Sequence, residues 1–330
     1  MNLEAAGQKT YSTRRVIQKE NLMSDASDSM RKRCKKNDMI RDAGLQTPES
    51  ICRSDNIPYG PDPRWNVLDV YRRKDLSGTA PVIVSVHGGG WVYGDKETYQ
   101  YYAMGLAERG FAVVNFTYRL APEYRFPLQE EDINSVIGWV LSHGTEYGFD
   151  TENICMVGDS AGGHLLGIYA NICTSQEYAK KFDLKIPHSF IPRAVCLNCG
   201  IYKIFDECGN CLNPLSPELI GDLLPEECTA ETRRLLNVSD YVTPAFPPAF
   251  IMTSRGDYLA SQAPVLAGAL ENAGAYFEYK IYGDEKMPLY HVFHVNMRDA
   301  EGQKCNDEEC DFLRRMIRKP SERRTERKQH

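Results

Sequence analysis

The chain has 330 residues, 42% apolar and 25% charged, with a net charge of −6, and this composition supports a sizeable core in one large α/β domain. It excludes a disordered or collagen-like chain. No apolar run approaches the roughly 18–20 residues of a membrane helix, Met1–Arg15 is too polar for a signal peptide, and the acidic balance argues against nucleic acid as the main partner.

Residues 1–45 are charged and lack a clear apolar period. Their basic run Arg31-Lys32-Arg33-Cys34-Lys35-Lys36 reads as the solvated face of an N-terminal helix, part of a cap. Residues 46–317 form the main domain. In it Val82–Val86 is a short apolar run ending in glycines, as a buried parallel strand is. Lys96–Arg109 predicts a helix stopped by Gly110, and Ala112–Phe116 the next strand. Pro127 opens a helix with Ile133, Val136, Ile137 and Val140 at i, i+3, i+4, i+7. Ile154–Val157 is a strand and Ala161–Ala170 a helix. Arg193–Asn198, Pro248–Thr253 and Tyr276–Tyr282 are further strands, and Leu259–Ala273 is a helix closed by Gly274. Such alternation predicts an α/β fold: a mostly parallel central sheet with helices on both faces. About 200–243 the rhythm breaks into a stretch rich in Pro, Cys, Asn and Glu, with a helical piece near Glu231–Leu236. This reads as a cap insertion over the carboxyl ends of the strands. Residues 318–330 form a basic tail.

Eleven cysteines form an odd set with no export signal, which places the chain in the reducing cytoplasm. Cys196-x-x-Cys199 and Cys208-x-x-Cys211 suggest zinc only superficially. Their eight-residue gap is shorter than the about 12–20 expected, and Arg193–Cys199 reads as a buried strand whose positions i and i+3 face opposite sides. No metal and no cofactor are expected.

Four signals carry chemistry. Gly158-Asp159-Ser160-Ala161-Gly162-Gly163 lies between a strand and a helix, the setting of a nucleophile elbow rather than a phosphate-binding turn. His87-Gly88-Gly89-Gly90-Trp91 follows the strand Val82–Val86. Its glycines let backbone N–H groups approach a ligand closely and stabilise a negative oxygen. Tyr118-Arg119-Leu120-Ala121-Pro122-Glu123 reads as a structural loop. The fourth signal is the order Ser160, Asp257, His291, in which aspartate and histidine each follow a strand. Asp240 precedes the penultimate strand, and Asp284 sits in a turn seven residues before His291, so Asp257 is the better partner. His87, His143, His164 and His188 come too early in the chain, and His330 lies in the tail. His294 competes with His291 more closely, from three residues away.

With these motifs the sequence resembles the hormone-sensitive-lipase-like family of α/β-hydrolase carboxylesterases, the group of acetyl esterases and arylacetamide-deacetylase-type enzymes, from about Asn66 to Phe293. The resemblance implies an α/β-hydrolase fold with a small helical cap and a serine carboxylesterase acting on short-to-medium acyl esters, with no cofactor. It assigns Ser160 as nucleophile, Asp257 and His291 as its partners, and the amides of Gly88, Gly89 and Ala161 as the oxyanion hole. Trp91 and Tyr93, next to the glycine loop, are the substrate-binding candidates. The chain departs from the family at Thr117, where an acidic residue is usual, and at Val292, where the family has His-Gly-Phe. The expected partner is a small-molecule ester, with neither nucleic acid nor membrane, and a homo-oligomer is compatible. The rivals are a peptidase or amidase on the same scaffold and a non-catalytic ligand-binding homologue.

Overall fold

The computed structural model describes residues 23–212 and 215–317, so the readings made on Met1–Arg15, the 318–330 tail and His330 lie outside the described residues. One eight-stranded sheet organises the chain. Its strands are β1 (Ile51–Pro58), β2 (Val67–Arg73), β3 (Ala80–Val86), β4 (Ala112–Phe116), β5 (Phe149–Asp159), β6 (Val195–Asn198), β7 (Ala249–Ser254) and β8 (Phe277–Tyr282). They lie in the order β1-β2-β4-β3-β5-β6-β7-β8. β1 and β2 run antiparallel to each other, β2 runs antiparallel to β4, and all other neighbours are parallel.

The helices are α1 (Asp25–Asp42), α2 (Lys96–Glu108), α3 (Leu128–Ser142), α4 (Gly144–Tyr147), α5 (Ala161–Thr174), α6 (Gln176–Ala179), α7 (Pro217–Leu223), α8 (Ala230–Arg234), α9 (Gln262–Ala273) and α10 (Ala300–Met316). Strand alternation divides the apolar side chains between two cores. Val82, Val84 and Val86 of β3 join the core that holds Ile133, Val136, Ile137 and Val140 of α3, Leu165 of α5 and Leu266 of α9. Ile83 joins the opposite core, with Leu106 of α2 and Phe312 of α10. Both faces of the sheet are thus covered, and the architecture is the α/β-hydrolase fold.

The elements read from the sequence are present, with boundaries moved by a few residues; β5 is longer than the apolar stretch Ile154–Val157 that signals it. Six elements carried no clear signal: the short helices α4, α6 and α7, and β1, β2 and α10. β1 is an edge strand in which every residue but Ile51 is partly or fully exposed, so no alternation marks it. β2 buries Leu68, Asp69, Val70 and Tyr71 in a row, and the charged Asp69 interrupts the apolar run that would mark it. α10, capped by Asp299, buries Asn306 and Glu309 beside Cys305, Cys310 and Phe312, and these polar residues break its apolar stripe.

α1 crosses the carboxyl end of the sheet and is tied down mainly by polar contacts. The Oγ of Ser24 donates to Asp222 Oδ2 on α7 at 2.7 Å, and Arg31 forks onto Glu123 at 2.7 and 2.9 Å. Arg31 also donates to the carbonyls of Val92 and Ala121. Glu123 belongs to the loop Tyr118–Glu123, whose Tyr118 hydroxyl donates to the carbonyl of His87 at 3.0 Å. That loop braces both the N-terminal helix and the start of the glycine loop.

Candidate active site

Ser160 occupies a sharp turn between β5 and α5, with φ 54° and ψ −120°, a strained conformation for a residue bearing a Cβ. The residues two positions to either side must be glycines. A Cβ on Gly162 would stand 2.1 Å from the Val86 carbonyl oxygen, and one on Gly158 would stand 2.6 Å from the Gly162 oxygen. The turn is thereby pressed against the end of β3, and the Ser160 N–H donates to Asn198 O on β6 at 2.9 Å.

The Oγ of Ser160 lies 2.9 Å from Nε2 of His291, and Nδ1 of the same imidazole lies 2.7 Å from Oδ1 of Asp257. Asp257 follows β7 and has a fully buried side chain. Its Oδ2 accepts from the Thr253 hydroxyl and its Oδ1 from the Leu259 N–H, both at 2.9 Å. Burial raises the carboxyl pKa, but the hydrogen bond and charge of His291, with those two donors, outweigh it and hold the pKa below the ordinary value. Asp257 is therefore poised as an anion against the imidazole. The ring of Tyr258 packs against His291 at a tilt of 45°, with centroids 4.4 Å apart.

The competing residues lie elsewhere. His294 is fully buried, edge-on to Tyr102, and burial lowers its pKa to about 3. His87 stacks on Tyr118 at 4.0 Å and contacts the Gly88 carbonyl. His164 bridges the Trp91 indole N–H and the Leu236 carbonyl. Asp240 pairs with Asn237 and Lys203, while Asp284 caps its own turn.

A cavity of about 310 Å³ opens over Ser160. Trp91 and Ala161 line it, as do Gly90, Met30 and Arg33 of α1, Leu219 of α7 and Tyr258. Neither Gly88 nor Gly89 is among its lining residues. Gly88 is pressed against Tyr99 and Asp159, where a Cβ would stand 2.8 Å from a side-chain oxygen of each. Tyr93 also stands apart: its hydroxyl donates to Asp38 on α1 at 2.9 Å. Gly90 and the α1 residues escaped the sequence reading, because only the folded glycine loop shows which of three glycines faces the serine.

The four cysteines of the zinc-like pattern do not converge, since Cys196 and Cys199 are buried and Cys208 and Cys211 exposed. One grouping of metal-ligand type exists among the described residues: Cys199, Asp257 and His291, with ligand atoms within 4.8 Å of one another. A cation there would have to displace the 2.7 Å contact between Asp257 and His291.

Asp159, just before Ser160, is buried, and accepts from the Tyr99 hydroxyl at 2.6 Å. Burial raises its pKa from 3.8 to about 7 against the pull of that hydrogen bond. Between those values the folded state keeps a proton that the unfolded chain releases, so this group's contribution to stability falls as pH rises from about 4 to about 7. Asp159→Asn cannot ionise and keeps an acceptor for Tyr99. Relative to wild type, its Tm is expected to gain on the order of 5–10 °C between pH 4 and pH 8. Parallel melting curves across that range would count against the assignment.

The family model described as BD-FAE matches residues 68–267. The chain belongs to the BD-FAE family. Among its curated relatives, the probable carboxylic ester hydrolase LipM of Mycobacterium tuberculosis is 31% identical over 213 residues, 62% of this chain and 48% of that protein. The ethyl acetate hydrolase of Pseudomonas putida is 29% identical over 60% of this chain and 62% of its own length. The chain thus spans about half the length of the first of these relatives. Among solved structures, the inhibited esterase B from Lactobacillus rhamnosis superposes with a TM-score of 0.81 at 26% identity, covering 92% of this chain and 98% of that one. The resemblance to hormone-sensitive-lipase-like α/β-hydrolases read from the motifs agrees with the BD-FAE assignment and with these neighbours.

Proposed function

We propose that this protein is a serine carboxylesterase acting on small esters with short-to-medium acyl groups. The observation that carries the reading is the unbroken hydrogen-bond chain from Ser160 through His291 to Asp257 at the floor of an apolar cavity. His291 accepts the Ser160 proton as Oγ attacks the ester carbonyl, while the Asp257 carboxylate holds the imidazole in orientation and stabilises the imidazolium. The amides of Gly89, Gly90 and Ala161 receive the oxyanion, with Gly90 in the place first given to Gly88. His291 then protonates the leaving alcohol, and water activated by the same imidazole releases the acid from the acyl-enzyme.

The size of the cavity, at the small end of ligand sites, favours short-to-medium acyl groups. α1 and the 200–243 insertion together act as its cap, because both supply lining residues. The eleven free thiols support a cytoplasmic setting. No helix among the described residues is long and apolar enough to cross a membrane.

The test is pre-steady-state hydrolysis of p-nitrophenyl acetate. A burst of p-nitrophenol stoichiometric with enzyme, followed by slower turnover, is expected of an acyl-enzyme. No release above background would favour the non-catalytic ligand-binding homologue. Turnover of an anilide equal to that of its matched ester would favour the amidase.

A further inference from the structure

The basic run Arg31–Lys36 has no part in the chemistry above, and the fold gives its members different tasks. Arg31 is spent on Glu123, and Lys32 pairs with Asp28 one turn earlier on α1. Arg33 has no acidic partner among the described residues. It falls on the helix face that also carries Ala26, Ser29 and Met30, at i, i+3, i+4 and i+7, and this face lines the cavity over Ser160. Arg33 is exposed yet part of the lining, which puts its guanidinium at the open side of the cavity, and its charge bears on the Tyr258 hydroxyl next to His291. Among the residues lining the cavity it is the one charged group, and no carboxylate is among them.

An apolar chamber with a single cation at its entrance distinguishes ligands by charge. A guanidinium offers forked donors to a carboxylate or phosphate, and a neutral ligand leaves those donors to water. We infer that Arg33 is a specificity-determining residue that selects esters carrying an anionic group, a carboxylate or phosphate placed to reach the cavity entrance while the ester carbonyl sits at Ser160. This inference rests on the esterase reading and goes beyond it in naming a substrate class.

The experiment compares kcat/KM for matched pairs on the full chain. One arm puts the charge on the alcohol side, with 4-acetoxybenzoate against 4-acetoxybenzamide. The other puts it on the acyl side, with monoethyl adipate against the corresponding ethyl ester amide followed by pH-stat. In at least one arm the anionic member is expected to be preferred about fivefold at low salt, the upper range for a solvent-exposed ion pair. The preference should fade as the ionic strength rises from about 10 mM to about 1 M and the Debye length falls from about 30 to about 3 Å. Arg33→Gln should bring the ratio close to one. Lys35→Gln, on the opposite side of the same helix, should leave the ratio as in wild type, which separates a local contact from the overall charge of α1. A ratio near one in both arms with the neutral esters turned over, or a preference that survives Arg33→Gln, overturns the inference and leaves the esterase reading standing. Failure to hydrolyse any of the four compounds overturns both.

Discussion

Ser160→Ala is expected to lower kcat by roughly 10⁶-fold while leaving the fold unchanged, as for serine hydrolases whose nucleophile acts in concert with its base. The side chain meets His291 Nε2 at 2.9 Å, and its removal takes away the group that forms the covalent intermediate. Alanine keeps the Cβ, so the strain of the positive φ at this position is neither added nor relieved. Steady-state kinetics with p-nitrophenyl acetate, alongside circular dichroism, checks both halves of the expectation. The burst should vanish together with the turnover. A variant within tenfold of wild type would require another nucleophile and would sink the mechanism.

His291→Ala and His294→Ala should behave in opposite ways although three residues separate them. Loss of the His291 imidazole leaves Ser160 without a base and Asp257 without its partner, and kcat should again fall by roughly 10⁶-fold. Because triad members act as a unit, the double variant Ser160→Ala/His291→Ala should be scarcely worse than either single one. His294→Ala should lower stability, since it empties a buried space against Tyr102 and Phe293, and should leave a measurable kcat. The decisive comparison is kcat at a temperature well below both melting points. Abolished turnover in His294→Ala with intact turnover in His291→Ala would reverse the assignment.

The sheet was legible because its parallel strands are buried on both faces and so read as short, continuous apolar runs. The Val82–Val86 and Ala112–Phe116 runs are of this kind, and each coincides with a strand. The choices of serine, aspartate and histidine rested on chain order and strand ends, local properties that survive in one dimension. What could not be read depends on how distant segments meet. The side chain of Ser27 reaches Asp222, 195 positions away, and nothing in either neighbourhood announces the contact. The glycine loop shows the same limit on a smaller scale. Three consecutive glycines are equivalent as letters, yet Gly88 packs against Tyr99 and Asp159, Gly89 has φ 115° with no room for a Cβ beside the Tyr93 carbonyl, and Gly90 faces the cavity. Thr117, one of the family departures, donates no support of the acidic kind, but its Oγ1 accepts from the Lys96 N–H at 3.1 Å, so the position still anchors the start of α2.

The way α1 is attached has an evolutionary consequence. Of its 18 residues only Ser27 is buried, and the helix holds its place through Ser24, Ser27, Arg31, Asp38 and Arg41. Ala26, Ser29, Met30 and Arg33 are left over, and these are its contributions to the wall above Ser160. Substitutions at partly exposed positions typically change stability by no more than about 0.5 kcal/mol. The helix also lies outside residues 68–267, the span matched by the family model. Mutational drift can therefore rewrite four residues of the cavity wall without disturbing the sheet, the elbow or the hydrogen-bond chain beneath them.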